Sequence, residues 1–65
     1  MNLKDRIINA ITIQKLSLNN EGVKYWYKYK LRITKLFWSR NIFDGYLIEI
    51  YDRTGDLHLG TIYYP

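Results

Sequence analysis

Val23-Lys24-Tyr25-Trp26-Tyr27-Lys28-Tyr29-Lys30-Leu31-Arg32-Ile33-Thr34 changes side-chain character at every position for twelve residues. Successive side chains of a β-strand face opposite sides of the sheet. Read as one extended strand, the segment sets Val23, Tyr25, Tyr27, Tyr29, Leu31 and Ile33 on one face and Lys24, Trp26, Lys28, Lys30, Arg32 and Thr34 on the other. The first face is apolar and aromatic; the second is cationic and carries one tryptophan. A sheet protein is expected, with these tyrosines in its core and the basic face on its surface.

Toward the N-terminus the period changes. Asn2 followed three residues later by Asp5 is a near variant of the helix capping box. Leu3, Ile7, Ile8 and Ile11 then share one side of a helix, and Lys4, Asp5, Arg6 and Asn9 share the other. A helix over residues 1–12 is expected. So short a helix is marginal alone, and its polar side is not basic enough for a membrane-surface helix, so its isoleucine face should dock on the sheet. Ile11 and Ile13, then Leu16 and Leu18, alternate with polar residues, with one slip near Lys15. A bulge, or a helix ending close to Thr12 and a strand starting near Gln14, would explain the slip, and Lys15–Leu18 is expected to pair, through the turn Asn19-Asn20-Glu21-Gly22, with the start of the long strand.

Toward the C-terminus a second slip falls at Thr34 and Lys35, after which Leu36 and Trp38 carry the apolar parity. This fits a bent strand serving two parts of a curled sheet. Ser39–Gly45 reads as a loop, Tyr46–Tyr51 as a strand, Asp52–Asp56 as a hairpin turn and Leu57–Tyr63 as the last strand. A hairpin centred near Ile42 would oppose Leu36 to Ile48, Trp38 to Tyr46 and Lys35 to Glu49. Gly60 inside the last strand marks a bulge, a bend or a close backbone approach.

The expected architecture is α+β: one domain over residues 1–65, with a short N-terminal helix at 1–12 and four or five antiparallel strands across 13–65. Curling the sheet into a small SH3/Sm-like barrel would remove exposed edges; an open sheet packed on the helix is the alternative. A 65-residue chain without cysteine has neither disulfides nor a cysteine-ligated zinc to support a small core. Its 48% hydrophobic and 17% aromatic content still argues for an ordered chain. The order helix, strand, Asn19–Gly22 turn, long bent strand and Phe43-Asp44-Gly45-Tyr46-Leu47-Ile48 resembles Sm-type barrels such as the Hfq family. Gly45-Tyr46-Leu47 through Gly55-Asp56-Leu57 is similar to WYL domains. The last strand is too short to carry the histidine-bearing RNA-site motif of Hfq-like proteins. By analogy of fold alone, the resemblance implies a small nucleic-acid-binding or ligand-binding barrel.

Charge is concentrated in the middle third. Residues 1–21 sum to +1, residues 22–40 to +6 without one carboxylate, and residues 41–65 to −3. Such a segment attracts polyanions or acidic protein surfaces. Lys24, Trp26, Lys28, Lys30, Arg32 and Lys35 are therefore the candidate binding residues, the cations for phosphates and Trp26 for stacking on bases. The favoured partner is nucleic acid; the alternative is a regulatory or inhibitory role on an acidic protein partner, and homo-oligomers are a third use of the surface.

An enzyme is not expected. His58 is the one histidine in the chain, the glycines are dispersed, and Ser39 has no partner base. Asp52 and Asp56 flank a turn in which Asp is favoured for backbone hydrogen bonding. No cofactor or metal is expected. The chain lacks a signal-like apolar leader and any run of roughly 18 apolar residues, so a cytoplasmic protein is the expectation.

Overall fold

The computed structural model describes residues 2–65. The first element, α1 (Leu3–Thr12), is capped by Asn2, whose Oδ1 accepts the Asp5 amide at 2.8 Å. This is the serviceable half of the expected capping box. Ile7, Ala10 and Ile11 are buried on its inner side, whereas Ile8 stays exposed. The helix ends as Gln14 adopts φ 63°, the left-handed conformation usually given to glycine or asparagine. The amides of Lys15 and Leu16 both turn back onto the Ala10 carbonyl, at 2.9 and 3.1 Å.

The expected strand before the Asn19–Gly22 turn does not form. Residues 13–21 are irregular, yet their alternation has a purpose: Leu16 and Leu18 are buried and Ser17 is exposed. This segment closes the core from one end.

Four strands follow, β1 (Gly22–Trp26), β2 (Tyr29–Ser39), β3 (Ile42–Asp52) and β4 (His58–Tyr64), in an antiparallel sheet of order β1-β2-β3-β4. The fold is α+β, and the sheet is not closed: β1 and β4 are its two edges. Leu31 and Ile33 oppose Ile50 and Ile48, and Ile48 opposes Ile62. These five side chains form a stripe under Ile7 and Ile11, with Leu31, Ile48 and Ile50 fully inaccessible. Trp26, Tyr29, Tyr46 and Tyr64 pack around that stripe, half-buried.

The largest correction concerns the segment that opened the sequence reading. Val23–Thr34 is not one strand. Tyr27 and Lys28 form a two-residue turn, so that Trp26 opposes Tyr29 and Val23 opposes Arg32. Tyr27 takes φ 54°, a conformation for which its side chain gives no local preference. One tertiary contact holds it, Arg53 Nη1 donating to the Tyr27 carbonyl at 2.8 Å, and the Tyr27 ring meets that of its neighbour Trp26 edge-on at 4.6 Å. Tyr25 and Tyr27 are consequently exposed, and of the three expected core tyrosines in this segment only Tyr29 packs against the core.

The β2–β3 hairpin also differs from expectation. Ser39 opposes Ile42 across a turn at Arg40 and Asn41, so the expected loop is much shorter. Leu36 opposes Gly45, Lys35 opposes Tyr46 and Glu49 opposes Arg32. The register differs by three residues from the one anticipated, because the chain turns at Arg40 and Asn41 and not around Ile42; the irregularities on the two sides of Phe37 offset one another. Gly60 lies opposite Ile50 beneath α1, where an added Cβ would stand 3.0 Å from Lys4 Cε. The sequence signal at Gly60 was thus a close approach, with a register irregularity beside it at Ile50 and Tyr51.

Two glycines separate conformational strain from crowding. Gly22 and Gly45 have φ of 112° and 120°, but a Cβ on Gly22 meets nothing within 4 Å while one on Gly45 would lie 2.7 Å from the Tyr64 carbonyl oxygen. Gly45→Ala should lower the urea midpoint by an amount equivalent to more than about 1 kcal/mol, and Gly22→Ala should cost clearly less. Equal losses in both variants would mean that the Tyr64 contact has no weight.

Candidate functional site

The two-residue turn at Tyr27 reassigns the faces of the sheet. Across an antiparallel pair, directly opposed residues point the same way. Leu31 and Ile33 point toward α1, so their β1 partners Lys24 and Gly22 do as well. Arg32 and Lys30 point to the open face, together with Val23 and Tyr25.

The six residues singled out from sequence are therefore divided. Lys30 and Arg32 stand on the open face. Trp26 lies on the helix side, stacked on Tyr29 at 6.3 Å with the Arg6 guanidinium 5.8 Å from its ring. Lys24 is also on the helix side and its ammonium donates to the Ser17 carbonyl. Lys28 sits in the turn, 5.8 Å from the Tyr29 ring. Lys35 is half-buried on the helix side, and its backbone amide is bonded by Glu21 Oε1 at 2.8 Å. The expected single cationic face carrying Trp26 does not exist, because the chain reverses in its middle.

What the open face presents instead is two neighbouring rows crossing all four strands. One runs Val23, Arg32, Glu49, Thr61; the other runs Tyr25, Lys30, Tyr51, His58. With strands about 4.8 Å apart, each row spans roughly 14 Å; the second sets Lys30 between the rings of Tyr25 and Tyr51, and the first sets Arg32 beside Glu49 between Val23 and Thr61. Arg53, from the β3–β4 turn, lies 4.8 Å over the Tyr25 ring, and the rings of Tyr51 and His58 are 5.2 Å apart. Lys30, Arg32, Tyr51 and Gly55 line an open depression of about 250 Å³. At roughly 30 Å³ per water, that is room for several waters or for one hydrated anionic group.

The electrostatics of this face are set locally. Tyr51 donates its hydroxyl to Glu49 Oε2 at 3.0 Å; this bond, then partial desolvation and the Glu49 charge, push its pKa up, against a smaller downward pull from Arg32. Tyr51 therefore remains a neutral phenol at physiological pH. Glu49 has one oxygen engaged by that phenol, and Lys30 and Arg32 are the cations that line the depression.

Sequence reasoning missed Tyr51, His58 and Arg53 because they come from the acidic last third of the chain. The alternation of Tyr46–Tyr51 placed Tyr51 on a polar face; nothing local said that this face would adjoin Lys30. A second basic and aromatic patch lies on the helix side, where Arg6, Lys15, Trp26 and Tyr27 border a shallower depression of about 190 Å³. Among the described residues no three His, Cys, Asp or Glu side chains gather as a metal site. No described helix is long and apolar enough to cross a membrane.

The turn that carries Arg53 is organised by Asp52. Its Oδ1 accepts from Thr54 Oγ1 at 2.8 Å and from the amides of Gly55, Asp56 and Leu57 at 2.9, 3.0 and 3.3 Å. The Thr54 bond first, then the backbone amides, hold its pKa below the ordinary carboxylate value despite some desolvation. Stability from this group is fully present above the unfolded pKa and is lost as pH falls through the lower folded value. Asp52→Asn keeps an acceptor oxygen but not the charge, so the variant should be less stable than the parent at pH 7, and the gap should close below about pH 3–4. Thermal unfolding across that range measures it; a gap that persists unchanged at pH 2 would show that the charge is irrelevant. No family model matches this chain, and no curated protein or solved structure matches it significantly.

Proposed function

We propose that this protein is a small non-enzymatic module that binds nucleic acid across the open face of its sheet. The observation that carries the reading is that Lys30, with Arg32 in the adjacent row and Arg53 from the β3–β4 turn, stands among the rings of Tyr25, Tyr51 and His58 on the open face of the sheet. Phosphates are drawn by the cations, and every base has a face that can stack on an aromatic ring. Unpaired bases suit this surface best, because its rings are not aimed into a groove but lie across a shallow sheet. The reading does not depend on the SH3/Sm-like barrel expected from sequence: an open four-stranded sheet offers the same side chains. A cytoplasmic setting goes with it.

The cations belong to binding, the phenols to selectivity for unpaired bases. Salt titration of single-stranded and duplex oligonucleotides tests both. Binding should weaken steeply with salt, and Lys30→Gln with Arg32→Gln should reduce the log–log salt slope by about 1.4 on a single strand. Tyr25→Ala or Tyr51→Ala should cost about 1–3 kcal/mol on single strands and little on duplex. Absence of salt-sensitive binding to any oligonucleotide would overturn the proposal. Copurification of a stoichiometric acidic protein that survives nuclease treatment would favour the alternative, docking on a protein partner.

A further inference from the structure

Three rings and two guanidinium groups form an unbroken series round the end of the sheet where the β1–β2 and β3–β4 turns lie. On the helix side the Arg6 guanidinium stands 5.8 Å from the Trp26 ring, and that ring meets Tyr27 edge-on at 4.6 Å. Tyr27, at the turn itself, is 73% exposed, and its carbonyl accepts from Arg53. Arg53 in turn covers the Tyr25 ring at 4.8 Å, which brings the series onto the open face beside Lys30. The segment that turns this corner, Tyr25–Lys30, consists of four aromatic residues and two lysines. The depression of about 190 Å³ bordered by Arg6, Lys15, Trp26 and Tyr27 lies at the far end of the series.

We infer that one single strand of nucleic acid runs from the open face round the β1–β2 turn onto the helix side, so that Tyr27, Trp26 and Arg6 share a binding path with Tyr25, Lys30 and Arg53. The inference rests on the nucleic-acid reading above and adds to it a route, a minimum length and a cause for the preference for unpaired strands. Cations and rings that alternate at intervals of about 5–6 Å match a polyanion that carries one flat base per repeat. An acidic peptide would meet the cations but has no ring on every residue to set against the tyrosines. A duplex cannot take the route. Its persistence length is about 500 Å, whereas the molecule measures 34 × 26 × 17 Å, so a duplex reaches one face at a time. A single strand bends at each nucleotide, and roughly eight of them cover the path, inside the range of about 4–16 for single-strand-binding barrels.

Oligothymidylates of about 4, 8 and 12 nucleotides, titrated at low salt into the full chain, test the route. Affinity should rise up to the middle length, with one long strand bound per protein. In Trp38→Phe, where Trp26 is the sole tryptophan, the longest oligomer should quench the emission. Arg6→Gln should weaken the longest oligomer at least about threefold and lower its log–log salt slope by about 0.7. The same variant should leave duplex and the shortest oligomer unaffected, a selectivity that a folding defect does not produce. Tyr27→Asn removes the ring but tolerates the positive φ, and it should weaken the longest oligomer at least about fivefold. Long-oligomer binding indifferent to both variants, Trp26 emission unchanged at saturation, or two long strands per protein overturns the route and leaves the open-face reading standing. Polyglutamate bound as tightly as the longest oligomer, with the same sensitivity to Tyr27→Asn, assigns the path to an acidic protein and also overturns it. Absence of salt-sensitive binding to every oligonucleotide overturns the route and the reading together.

Discussion

One short helix covers one face of a four-stranded sheet, and the rest of the molecule follows from that coverage. Ile7 and Ile11 rest on the stripe formed by Leu31, Ile33, Ile48, Ile50 and Ile62. Because strand side chains alternate with a period of two, burying one set of positions exposes the set between them. A shift of one residue in β2 or β3 would drive Lys30, Arg32 or Glu49 under the helix, where unpaired charge is costly. The same stripe that provides the core thus dictates which side chains make up the open face. With ten helical residues and two leucines from the following segment, the cover ends before the long strands do. The exposure of Phe37 and Phe43 at the far end is the direct result.

The turn at Tyr27 and Lys28 has consequences beyond its two residues. A continuous strand would have put Lys24, Trp26, Lys30 and Arg32 on one surface. Reversal sends the first two under the helix side and leaves the other two facing solvent, with Tyr25 and Val23 now beside them. Basic character is thereby spread over both sides of the molecule, with Arg6, Lys15 and Lys24 on one and Lys30, Arg32 and Arg53 on the other. Arg53 joins the two ends of this arrangement, since it bonds the Tyr27 carbonyl and covers the Tyr25 ring. The Asp52-centred turn that positions Arg53 is consequently part of the open face, although its acidic residues oppose the charge of that face.

The acidic last third of the chain is interleaved with the basic middle third. Glu49 lies opposite Arg32, and its carboxylate accepts the Tyr51 hydroxyl. This pairing tempers the cationic surface and fixes the phenol.

Sequence alone determined the elements whose signals are local. The helix was legible in Asn2, Asp5 and the isoleucine spacing, the last turn in Asp52 and Gly55, and the strand character in period-two alternation, because each depends on neighbours along the chain. It also marked Gly60 as a bulge, a bend or a close approach, and Lys30 and Arg32 as surface cations. Tertiary structure alone decided where the alternating segment reverses, since Tyr27 has no intrinsic preference for a positive φ and is held there by Arg53, twenty-six residues away. It likewise decided the register of β2 on β3, which follows from a turn placed at Arg40 and Asn41, and the company Lys30 and Arg32 keep. Alternation specifies that a strand has two faces; which face is buried is settled only when distant apolar residues meet.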